Sequence, residues 1–271
     1  MTLRNQERID FAEDSGDIVH MRRLQFITYR HRSHSTNRTL GLLLAFNAGA
    51  VNAGGFLVLH TYTSHMTGFA SQLADGAVLG NGMLFLNALG AILAFILGAA
   101  VCAVLVNWAR QRRLRSIYAP PLLLEAALMF PFGLMGAITL TWTTPFAVPL
   151  TVLLLSFIMG LQNAVGSKTS GGSIRTTHMT GNITDFGMEL GKLVYWNARN
   201  TPASTRVRHE HARMQRSAGL ILMFLSGGVA GALGFKHVGF ICVVPLALLL
   251  LALSVPPLVR ELSVRESLRI R

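Results

Sequence analysis

Three features predict an all-α polytopic membrane protein with six transmembrane helices, two short re-entrant or thin helices and an inverted repeat. The chain has 271 residues, of which 51% are hydrophobic and 13% charged, with mean hydropathy +0.47; a soluble globular chain carries about 25% charged residues. Windows close to the roughly 20 apolar residues needed to cross a hydrocarbon core ~30 Å thick fall at 39–59, 83–107, 119–141, 146–166, 217–235 and 239–257. Inside this apolar text one polar phrase occurs twice, Ser64-His65-Met66-Thr67-Gly68 and Thr177-His178-Met179-Thr180-Gly181.

Residues 1–38 are polar, hold seven arginines and show no apolar core with a small-residue cleavage site. They read as a cytoplasmic tail without a removable signal, and the first window as an uncleaved anchor. Within the tail, residues 21–27 form a basic amphipathic stretch suited to an anionic leaflet, or a disordered one. Window 39–59 contains Asn52-Ala53 and is followed by the first polar phrase. The segment 68–80 then reads as a helix of about 20 Å, short of a full crossing. Two further windows complete repeat one, residues 39–141. Repeat two, residues 146–257, has the same order: a window with Asn163-Ala164, the second phrase, a short segment 181–195 of about 22 Å, and two windows. Residues 258–271 are a basic C-terminal tail.

Charge chooses between re-entry and crossing for the two short segments. If both re-enter and the N-terminus is cytoplasmic, every Lys and Arg except Lys236 falls inside. If both cross, Arg110, Arg112, Arg113, Arg115, Lys168 and Arg175 join Lys236 outside. Cytoplasmic loops carry the excess of Lys and Arg, so six spans with two half-helices are favoured. Each repeat then has an odd number of crossings, which inverts one against the other, a plan recurrent among transporters. The reading places a multi-pass protein in the cell's inner membrane with both termini cytoplasmic.

A re-entrant helix starting at Thr67-Gly68 or Thr180-Gly181, with Thr as N-cap, sets free N–H groups and the positive dipole end inside the membrane. Such backbone survives there only when buried in protein or lining a wet cavity. Two of these ends facing each other, flanked by His65 and His178, suit a small polar or anionic solute and disfavour cations. The plainer reading is that Thr and Gly cap and turn while each His bonds a carbonyl. Asn52 and Asn163 line the same path or tie loop to helix. Asp185, one turn past the second phrase, joins the path, whereas Glu189 and Lys192 pair locally. Glu125, behind Pro120-Pro121 in the third window, is a proton-coupling carboxylate or an interfacial one.

The formal charge of +12 sits in connections between spans and not on one face, so the lipid bilayer is the expected partner and nucleic acid is not. Cys102 and Cys242 lie in apolar windows and read as packing residues. Neither a metal cluster nor a cofactor motif appears, and no catalytic residue is assigned. Gly227, Gly228, Gly231 and Gly234, with Gly90 and Gly98, allow close helix packing within the chain or a homo-oligomer contact.

The sequence 49–56, Gly-Ala-Val-Asn-Ala-Gly-Gly-Phe, followed by 62–68, Tyr-Thr-Ser-His-Met-Thr-Gly, resembles the bacterial YoaK-like membrane proteins. So do 160–164, Gly-Leu-Gln-Asn-Ala, and 175–181, Arg-Thr-Thr-His-Met-Thr-Gly. Many members carry Asn directly after Thr-Gly: Asn182 fits, while Phe69 departs. The resemblance, over about residues 38–258, implies a six-span membrane protein and leaves substrate and reaction unassigned. The preferred function is a channel or secondary transporter with His65, Thr67, His178, Thr180, Asn52, Asn163 and Asp185 along the path. An intramembrane enzyme acting on a lipid-like molecule and a membrane scaffold are the alternatives.

Overall fold

The computed structural model describes residue 28 and residues 34–141, 147–169, 176–197 and 202–269. The basic stretch 21–27 and Arg175 lie outside the described residues. The helices are, in chain order, α1 (His34–Leu59), α2 (Met66–Val78), α3 (Gly82–Gln111) and α4 (Ala119–Thr141), in the range expected for repeat one and the tail before it, and α5 (Ala147–Thr169), α6 (Met179–Val194), α7 (His211–Val238) and α8 (Val243–Arg269), in the range expected for repeat two and the tail after it. Five described segments are long and apolar enough to cross a membrane: Thr36–Leu57, Gly82–Gln111, Ala119–Ile138, Pro149–Lys168 and His211–Ser263. The last, at 53 residues, spans both α7 and α8, which part at a 3-10 turn, Gly239–Cys242, where Gly239 takes φ +71°. Leu93, Ile96 and Leu97 on α3 and Leu222, Leu225 and Val229 on α7 remain exposed, a surface that lipid solvates and water does not. The chain is a polytopic, all-helical membrane protein.

The helices pair as a duplicated unit. α1 runs along α7 and α3 along α5; α2 packs on α3 and α6 on α7. Exchanging the two repeats turns each pairing into another one present in the fold. A shared phrase makes the main crossings, Phe-x-x-Gly at Phe46/Gly49, Phe95/Gly98, Phe157/Gly160 and Phe224/Gly227. A Cβ placed on any of these glycines would strike the carbonyl oxygen of a Phe on the facing helix: Gly49 against Phe224, Gly227 against Phe46, Gly98 against Phe157, Gly160 against Phe95. Backbone therefore lies on backbone at both crossings. Dispersion between closely approaching helices holds a membrane bundle together when lipid removes the hydrophobic drive. Gly231 likewise lies on Ala50, so most of the α7 glycine series is used inside the chain.

The connections differ between repeats. After α2 the chain turns through Gly80 at φ +65°, and the Asn81 N–H bonds back to the Gly76 carbonyl at 2.9 Å. This is a Schellman stop, which needs a residue without a Cβ penalty in the left-handed region. Asn81 then caps α3, its side-chain oxygen accepting from the Leu84 N–H at 3.1 Å, so stop and start share one turn. After α6 the chain instead runs through residues 195–210. Asn197 donates to the Val207 carbonyl and accepts from its N–H, both at 3.0 Å. α8 continues to Arg269, past the apolar window ending at 257. Its Glu261 carboxylate reaches the α3–α4 turn, accepting from the N–H groups of Arg115 at 2.6 Å and Ser116 at 3.1 Å and from the Ser116 hydroxyl at 2.6 Å.

Candidate functional site

α2 and α6 contain 13 and 16 residues, about 20 and 24 Å at 1.5 Å per residue, and neither is among the segments long enough to cross. Each begins one residue after a motif histidine. The N-caps are His65 (φ −92°, ψ 72°) and His178 (φ −84°, ψ 63°), not the threonines expected from capping preference. Thr67 and Thr180 instead occupy the second helical position, and their carbonyls accept from the equivalent hydroxyls of Ser71 at 3.2 Å and Thr184 at 2.9 Å. A Cβ on Gly68 would stand 2.8 Å from His65 Nδ1, and one on Gly181 would strike His178 Nδ1. Each imidazole thus folds back over the glycine three residues on. The Gly of His-Met-Thr-Gly makes room for a ring over the helix start, and both rings remain exposed.

Both helix starts open onto one cavity of about 780 Å³. Its wall includes His65 and Thr67 from one phrase, His178 and Thr180 from the other, and Asn52 and Asn163. Among the described residues, the two histidines and Tyr62 are the lining residues with an ionisable side chain. The polar side chains lining the cavity among the described residues are imidazoles, hydroxyls and amides, set beside two helix starts, a set able to donate to an anion or a neutral polar group and without a carboxylate for a cation. The other walls are apolar and come mainly from α1 and α7, with Phe56, Leu57, Leu225 and Val229. Phe56 stacks on Tyr62 with ring centroids 4.6 Å apart.

The asparagines are equivalent in sequence and unequal in bonding. Asn52 accepts the Ser64 hydroxyl at 3.1 Å and so ties the first polar loop to α1. Asn163 Oδ1 is buried and finds no donor among the described residues. Thr63 and Thr176, just ahead of the two phrases, share that condition, with buried hydroxyls lacking partners among the described residues; only alignment of the two copies beyond the five-residue phrase would have marked them.

Two predicted residues stand elsewhere. Asp185 does not line this cavity; it belongs to an adjacent one of about 620 Å³, which shares His178 and Thr180 and adds Arg213, Arg216 and Ser217. Six positions after the helix start, it is carried round to the α7 side, where Arg213 Nη2 donates to it at 2.8 Å. Glu125 is fully buried in α4 and is absent from both cavities; Asn47 Nδ2 donates to it at 3.4 Å. Glu189 pairs with Lys192 at 2.7 Å as expected and also accepts the Glu210 N–H at 2.7 Å. These two bonds, the Lys192 one first, hold its carboxyl below the usual carboxylate range. Among the described residues no group of three His, Cys, Asp or Glu side chains is arranged to hold a metal ion.

A family of proteins of unknown function, DUF1275, matches residues 40–255. The chain belongs to this family. Both polar phrases, both asparagines and all four crossing glycines fall within the matched range. A curated relative, the UPF0700 transmembrane protein YoaK of Bacillus subtilis (strain 168), is 28% identical over 193 residues, covering 69% of this chain and 83% of the relative. No solved structure matches the chain.

Proposed function

We propose that this DUF1275 protein is a channel or secondary transporter for a small polar or anionic solute. In this reading six helices cross the inner membrane, α2 and α6 re-enter from opposite faces as inverted repeats, and both termini are cytoplasmic. The observation that carries it is the meeting of the two helix starts, with His65, Thr67, His178, Thr180, Asn52 and Asn163, at one cavity. Two positive helix ends aimed at one volume at membrane depth form an anion-favouring constriction. The placement of nearly all basic residues on one side under this topology supports the orientation. Asp185 and Arg213 line the second cavity.

The test is solute-driven swelling of proteoliposomes with a panel of neutral polyols and monovalent anions. The wild-type chain should pass at least one of them. His65→Ala and His178→Ala should each slow that flux by about tenfold or more, equal to at least 1.4 kcal/mol in the barrier, with helical content unchanged. Equal flux in both folded variants would sink the site assignment.

One observation favours a second reading, an enzyme acting on a lipid-like molecule. Leu57, Leu225 and Val229 line the cavity and are also exposed to the surroundings, at 40%, 57% and 62%, so its apolar side is open. A wild-type chain that passes no solute but retains a co-purified amphiphile, released by His178→Ala, would establish that reading in place of the first.

A further inference from the structure

Among the described residues three carboxylates are buried, Glu125, Glu189 and Glu261. Two are provided for: Glu189 has the Lys192 ammonium and a backbone N–H, and Glu261 has two backbone N–H groups and a hydroxyl. Glu125 has one long bond. Asn47 Nδ2 donates to its Oε1 at 3.4 Å, while Glu125 Oε2 and Asn47 Oδ1 are both buried and without partners. The two orphaned oxygens belong to the two groups that already share a hydrogen bond. An ionised carboxylate and an amide oxygen only accept, so the pair lacks one donor, and a buried unpaired charge is among the most expensive features a membrane bundle can contain.

We propose that Glu125 and Asn47 form a proton-binding site, in which one proton on Glu125 Oε2 closes a two-bond ring with the Asn47 carboxamide. The Oε2–H donates to Asn47 Oδ1 while the Asn47 N–H continues to donate to Oε1, and a single proton satisfies both orphans. Among the described residues, no charged side chain of the helices packed on α4 bonds to Glu125. Cys102 on α3 is the titratable neighbour within electrostatic reach. α1 has Arg38 near its N-terminal end, α3 has Arg110 and α5 has Lys168 in their last turns, α8 has Arg260 and Glu261 beyond the apolar window, and the 3-10 turn has Cys242. Asn47 shares α1 with Asn52, less than two turns away, so the pair is joined to the cavity wall by one rigid element. Its service as the coupling site rests on the transport reading; proton binding does not.

The test is infrared spectroscopy of the full chain in micelles of an alkyl maltoside, a detergent with no carbonyl group. A protonated-carboxyl C=O band should be present at neutral pH, absent in Glu125→Gln and shifted in Asn47→Leu, which deletes the ring partner. Glu125→Gln presents an N–H where the O–H stood, so it should fold and show a thermal midpoint less dependent on pH than the wild type. Absence of the band from the wild type would overturn the proposal, with no variant needed. Stabilisation of the wild type by sodium at fixed pH, lost in Glu125→Gln, would also overturn it in favour of a metal cation. A band that obeys these expectations in a protein passing no solute would keep the site and end the transport reading.

Discussion

Substituting alanine for Gly160 should push α3 and α5 apart, and adding Gly98→Ala to that variant should do little more. A methyl on Gly98 stands 2.9 Å from the Phe157 carbonyl carbon and 3.0 Å from the Leu161 nitrogen; one on Gly160 stands 2.8 Å from the Phe95 carbonyl carbon. Ordinary contact begins at 3.4 Å, and every obstructing atom is backbone, so no rotamer change relieves the clash and the helix axes must separate. Overpacking of this kind destabilises by about 1–3 kcal/mol. Because the two methyls enter the same gap, separation forced by one accommodates the other. The double variant should therefore fall short of the summed effects by about 1 kcal/mol or more, the size of coupling seen between contacting residues. Gly49→Ala, at the α1–α7 crossing, should instead add fully to Gly160→Ala. The assay is unfolding in detergent micelles followed by helical circular dichroism, with a four-member cycle for each pair. Additivity of Gly98→Ala with Gly160→Ala to within about 0.5 kcal/mol, or wild-type stability of Gly160→Ala, would refute the reasoning.

Two further outcomes are expected. Glu261→Ala strips an acceptor from three donors at 2.6–3.1 Å and should destabilise by at least about 2 kcal/mol, since bonds to charged groups contribute ~1.5–3 kcal/mol each; Glu261→Gln, keeping one acceptor oxygen, should lose roughly half as much, both read by the same unfolding assay. Glu189 is held below the ordinary carboxylate range by Lys192 and the Glu210 N–H, so its contribution is complete above that range and disappears as pH falls through its own lowered value. Limited proteolysis of the 195–210 connection should accelerate under acid, and Glu189→Gln should show the fast rate at neutral pH as well; a rate independent of pH in the wild type would contradict this.

Most of the helical framework was legible because crossing a hydrocarbon core imposes a length and a composition that single residues cannot disguise. The window 83–107 became α3, and the short segments at 68–80 and 181–195 became α2 and α6 within two residues at each end. The start of α7 at His211 was missed, since its first turn is polar and no apolar window reaches it. Of the four crossing glycines the sequence marks Gly98 and Gly227 as packing residues and leaves Gly49 and Gly160 unmarked. The shared Phe-x-x-Gly phrase shows that they form two reciprocal crossings, a signal that emerges only when facing helices are compared. At the site, duplication placed six of the seven path residues on one cavity. Asp185 lines the adjoining cavity instead, because helical periodicity turns it toward α7 and an Arg distant in sequence. The Thr caps were misjudged because capping preference scores a hydroxyl, whereas here the backbone of His ends the loop and the hydroxyl is already inside the helix.

The turn at Gly80 has a counterpart in function that the duplication conceals. α2 is aimed by the main chain itself: a left-handed glycine and an immediate cap leave its direction a property of covalent geometry. α6 leaves through Tyr195 in an extended conformation and meets the next helix through side chains, Asp185 on Arg213 and the Glu189 carboxylate on the Glu210 N–H. The two helix starts that meet at one chamber are therefore seated by different chemistry: salt and acid should loosen the contacts of α6 and leave the glycine turn behind α2 unchanged.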